Sequence, residues 1–150
     1  MDSREPLRSA DIYQDFLKDE NIPFEEWAQN NIIEIKEMMS LAEKELPADL
    51  EEMLDIDRKL AGYLGRSGSL LSKAMTYKVK AFSKEMEALH ECGYKQYSVM
   101  KAIAEGKASQ ELRIEKMLER LNRSIVHILE MLRTNISLEK ERYKDSGRHR

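Results

Sequence analysis

The residues that could do chemistry in this chain are three histidines, one cysteine, a cluster of glycines, a few paired carboxylates and a run of basic side chains. His90, His127 and His149 are far apart in sequence and lack metal-ligand spacing. His90 beside Cys92 supplies two donors where a zinc site needs three or four. Cys92 has no clear partner base. Gly62, Gly65 and Gly68 recur every third residue, but they lack the lysine of a phosphate-binding loop and do not stand between a strand and a helix. Glu51 and Glu52 fall on a face that reads as solvated. These residue types therefore predict no catalytic centre, no metal site and no cofactor.

The basic run is different. From Arg58 to Lys84 the chain carries Arg58, Lys59, Arg66, Lys73, Lys78, Lys80 and Lys84 and not one carboxylate in 27 positions. Lysine and arginine neutralise phosphates, and aromatic rings stack on unpaired bases. Tyr63, Tyr77 and Phe82 lie among these charges, although at helical spacing they suit a core equally well. A second stripe, Lys116, Arg120, Arg123 and His127, follows a four, three, four spacing along one helix face. It extends the same surface or pairs with acidic residues of the chain itself. No zinc finger or RNP box is present, so binding would be to backbone and stacked bases with little sequence preference.

Charge divides the chain as sharply as it divides this segment. Residues 1–57 hold 17 acidic and 5 basic side chains, whereas residues 58–150 hold 11 acidic and 20 basic ones. Such asymmetry suits a polyanion-binding part beside an acidic part that docks a protein partner or covers the basic surface. Charged residues make up 35% and hydrophobic ones 41%, enough of the latter for a helical core. No apolar run reaches the length of a membrane span, MDSREPLRSADIYQ has no signal-peptide core, and the single cysteine forms no intrachain disulfide. A cytoplasmic protein without a membrane partner is expected.

The elements that must position these residues read as helices throughout. The three prolines fall at 6, 23 and 47, leaving the last hundred residues without an obligate breaker. The pattern predicts a short helix over 10–19, a second over roughly 24–45 and a third beginning at Asp49 or Pro47. Gly62 to Ser69 reads as loop by propensity. By spacing it reads as helix with a smooth strip open to another backbone, and the apolar rhythm that resumes at Leu70 favours the helix. His90 to Gly93 weakens that helix. Gly106 has the character of a C-cap, Ser109 caps the last helix, and Gly106–Ser109 is the expected hairpin turn. The last helix, about 110–143, carries Ile114, Leu118, Leu121, Ile125, Ile128 and Leu132 in alternating four and three spacing, flanked by Met117, Leu129 and Ile136. That seam is wide enough to predict a homo-oligomer through it. The expected architecture is all-α: an acidic helical segment over 1–48 and a long antiparallel helical hairpin with a basic surface over 49–150.

Three features resemble the UvsY-type recombination mediators of tailed phages. They are the helix with Leu70-Leu71-Ser72-Lys73-Ala74-Met75-Thr76-Tyr77-Lys78, the polar Glu105-to-Leu112 element with its Gly106-Lys107-Ala108-Ser109 turn, and a closing helix whose basic part includes Arg120, Arg123 and Arg133. The resemblance covers about residues 60–140. It implies a small, helical, oligomeric, non-enzymatic factor that binds single-stranded DNA and helps load a recombinase, in the host cytoplasm if phage-encoded. The other reading is a self-associating helical structural or adaptor protein, also compatible with a phage origin, with no nucleic-acid role.

Overall fold

The computed structural model describes residues 22–148. They form four helices: α1 (Phe24–Glu43), α2 (Leu50–Glu91), α3 (Tyr97–Lys107) and α4 (Ser109–Arg148). The fold is all-α, with no strand among the described residues. The expected helix over 10–19 lies outside them. The chain divides into compact units at Ile33/Glu34, inside α1 rather than between residues 48 and 49. In the first unit, Trp27 is buried, and its ring centroid lies 6.2 Å from that of Phe24.

In the second unit α2 runs unbroken through Gly62–Ser69. Asp49 starts it, its carboxylate accepting the Glu52 N–H at 3.2 Å. Flanking turns with strong apolar periodicity carry the helix across three glycines, so tertiary packing overrides their poor propensity.

The helix ends at the residues that weaken its pattern, and the reversal is there rather than at Gly106–Ser109. Gly93 takes φ +90°, a left-handed conformation that side chains resist. Its N–H donates to the His90 carbonyl, and the Tyr94 N–H donates to the Leu89 carbonyl. This is a Schellman closure with Gly93 as the terminating glycine. Gly106, by contrast, lies inside α3. Between α3 and α4 only Ala108 is non-helical, and helical hydrogen bonding passes straight through it: the Ala108 N–H donates to the Ala104 carbonyl and the Leu112 N–H to the Ala108 carbonyl. The second arm of the hairpin is thus α3 and α4 in succession.

The arms run antiparallel in one register. As the α2 partner advances from Asp57 to Ser67, Lys78 and Glu85, its counterpart retreats from Arg133 to Asn122, Glu115 and Lys107. Between them lie Leu60, Leu70 and Ala74 from α2 and Leu118, Ile125, Leu129 and Leu132 from α4, all buried. A smaller cluster of Leu89, Met100 and Ala104, with Phe82, Met86 and Ile103 around it, fills the closed end.

The six seam residues are therefore not an open oligomer surface. Leu118, Leu121, Ile125 and Leu132 are buried within the chain, and Ile114 and Ile128 are half-buried. Leu129 and Ile136, expected only as flanks, are buried more deeply than either of those. The centre of the stripe is displaced toward them because α2 packs between the two columns.

Candidate nucleic-acid interface

The basic segment of α2 separates into two flanks. Lys59, Arg66, Lys73 and Lys80 recur at intervals of seven, so they stand in one row along the helix. Lys78 stands on the other flank and points into the hairpin. Its ammonium donates to Oε1 of Glu115 at 2.9 Å and lies 2.8 Å from Oε2, and Glu115 is only 2% exposed. Oε2 has no well-aligned donor, but both oxygens touch the one cation, which is the contact that matters for charge. Lys78 is thus a structural residue. It is the member of the expected phosphate-binding set that is half-buried and whose charge is taken up by a buried carboxylate.

Arg66 is also engaged, its guanidinium reaching both carboxylate oxygens of Glu34, through Nε at 2.6 Å and Nη2 at 3.0 Å. Lys59 pairs with Asp55 one turn earlier at 3.3 Å. Arg133 pairs with Asp57 at 3.2 Å. The acidic first third and the basic remainder therefore meet within the monomer at Glu34 and Asp57. Lys73 is half-buried, while Arg58, Lys80 and Lys84 are exposed and form no ion pair among the described residues. Tyr63, Tyr77 and Phe82 are half-buried, so their ring faces are only partly open for stacking.

The stripe on α4 has a clearer setting. A groove of about 490 Å³ lies between the second half of α1 and α4. Its floor is Met39, Ala42, Met117 and Leu121, and its basic rim is Arg113, Lys116 and Arg120, with Ser124 at one end and Glu43 on the α1 side. Lys116 has a local pair with Glu119 at 3.3 Å. Arg113, Arg120 and Arg123 are exposed and form no ion pair among the described residues. Sequence reasoning found Lys116, Arg120 and Arg123 and missed Arg113, although Arg113 stands three before Lys116 and seven before Arg120 and so continues the stripe.

Among the described residues no group of three His, Cys, Asp or Glu side chains comes together as a metal cluster. His90, His127 and Cys92 are each exposed, and His149 lies outside the described residues. None of the described helices is long and apolar enough to cross a membrane. Compared with protein families, with curated proteins and with solved structures, the chain matches none of them.

Proposed function

We propose that this protein is a non-enzymatic accessory factor that binds single-stranded nucleic acid along α4, in the manner of the recombination mediators it resembles. One observation carries the reading: three cations converge on a groove with an apolar floor, and Arg123 continues the row beyond it. Arginine and lysine at a rim take phosphates, while Met39, Met117 and Leu121 offer unpaired bases a surface that a duplex cannot reach. The exposed α2 cations Arg58, Lys80 and Lys84 add to the field that draws a strand in. The acidic N-terminal region is assigned to a protein partner.

The test is a titration of fluorescent single-stranded oligonucleotide at several salt concentrations. Binding that weakens steeply with salt is expected. Replacing Arg113, Arg120 and Arg123 by alanine should flatten the slope of log affinity against log salt by about 2, at about 0.7 for each phosphate no longer neutralised. A parent protein that binds no oligonucleotide even at low salt would overturn the proposal. The adaptor reading is favoured by a different observation, the exposure of the apolar Met75 and Val79 one turn apart on α2.

A further inference from the structure

The closed end of the hairpin leaves every residue from Glu91 to Val99 exposed. Two of them are tyrosines, Tyr94 at 43% and Tyr97 at 63% exposure. Turn positions ordinarily fall to glycine, asparagine, aspartate or serine, which put no ring into water. Among the described residues neither ring packs on another aromatic, and neither hydroxyl has a hydrogen-bond partner.

Both tyrosines stand on a fixed backbone. The Tyr94 N–H is held by the Leu89 carbonyl at 3.1 Å, and Tyr97 is the first residue of α3. Leu89, Met100 and Ala104 anchor that backbone from below. A ligand that uses the two rings is thus spared the cost of ordering the chain that carries them.

The charges beside the rings have one sign. Between Glu91 and Glu105 the chain has no carboxylate, and its charged side chains there are Lys95 and Lys101. Lys95 is exposed and forms no ion pair among the described residues. Lys101 stands one helical turn after Tyr97, and its contact with Glu105 is a loose one at 3.8 Å. Glu87 and Glu91, exposed on the last turns of α2, mark the edge of this patch.

Open rings beside cations suit a ligand that is both planar and anionic. Single-stranded nucleic acid is such a ligand: its unpaired bases stack on tyrosine and its phosphates take the lysines. A duplex keeps its bases inside. A tip exposed along its whole length does not enclose a peptide side chain in the way an interface hot spot does. We propose that the hairpin tip is a second contact for single-stranded nucleic acid, with bases stacked on Tyr94 and Tyr97 and phosphates met by Lys95 and Lys101. This rests on the reading of α4 as a strand-binding surface and adds base stacking to it.

The test uses the full chain and a fluorescent oligothymidylate, with circular dichroism to check that helicity is kept. Tyr94→Ala with Tyr97→Ala should weaken binding by about fivefold or more for each ring lost. The salt slope should stay at the parent's value, because no cation has been removed. Tyr94→Phe with Tyr97→Phe should bind as the parent does, since phenylalanine keeps the stacking face. Photo-crosslinking to an oligonucleotide that carries iodouracil should label Tyr94 or Tyr97. A double alanine variant that binds like the parent, or crosslinks confined to α4, overturns the proposal and leaves the tip to a protein partner. The α4 arginine variants still decide the proposed function in that case. Phenylalanine variants as weak as the alanine ones overturn it equally, because only a hydroxyl has then been lost. A parent that binds no oligonucleotide removes both readings together.

Discussion

The ammonium of Lys78 lies between both oxygens of the Glu115 carboxylate, at 2.9 and 2.8 Å, in an interface that is otherwise apolar there. Lys78→Met strands a buried carboxylate and should cost about 3–5 kcal/mol of stability. Combining it with Glu115→Leu should recover most of that loss. Urea denaturation of the two proteins decides the matter; a single variant within about 1 kcal/mol of the parent would show that the pair does not hold the arms together.

The two glycines near the hairpin's closed end should respond to alanine in opposite directions. At Gly93, φ is +90° and a Cβ is strained, so Gly93→Ala should lower stability by about 1–2 kcal/mol. At Gly106 the backbone is helical and a Cβ meets nothing within 4 Å, so Gly106→Ala should raise stability by about 0.8–1 kcal/mol. Thermal melts that shift in the same direction for both would contradict the placement of the reversal.

Ile125 is fully buried and Ile128 only half-buried. Ile125→Ala should cost about 2–5 kcal/mol, and Ile128→Ala distinctly less, because part of that side chain is already in water. Equal destabilisation in guanidinium unfolding would mean that the stripe on α4 is centred elsewhere.

The lysines of α2 should separate by role. Lys80→Ala with Lys84→Ala should leave stability nearly unchanged and weaken oligonucleotide binding at low salt, because the two cations add to the field that draws a strand in. Lys78→Ala should do the opposite, reducing stability while leaving low-salt binding as it was. Low-salt binding unchanged by the double substitution would show that these two lysines add nothing to that field.

Helix type was legible in the sequence because it is written in apolar spacing, whereas the antiparallel arrangement was expected from a turn at Gly106–Ser109 that the fold does not use. Leu118, Ile125 and Leu132 could belong to nothing but a helix, and α2 is continuous where Leu70 resumes the rhythm. The position of the turn was not legible. Gly93 and Gly106 look alike as letters, and the choice between them rests on which one allows Leu89, Met100 and Ala104 to close on each other. The roles of the charges were only half legible. Nothing within Tyr77-Lys78-Val79-Lys80 distinguishes a lysine that enters the hairpin from one that does not; only the carboxylate of Glu115, 37 positions away, makes the difference. Arg113 shows the reverse case, a residue whose spacing already carried the signal.

At the closed end, α3 is 11 residues long and runs on into α4 through the helical hydrogen bonds of Ala108. Its hold on α2 rests on Leu89, Met100 and Ala104, a patch separate from the long apolar column below. The tip is therefore a cooperative unit of its own, able to detach while the shaft stays closed. In native-state hydrogen exchange the amides of residues 100–107 should exchange through a shallower opening than those of residues 118–132, giving one molecule two protection plateaus.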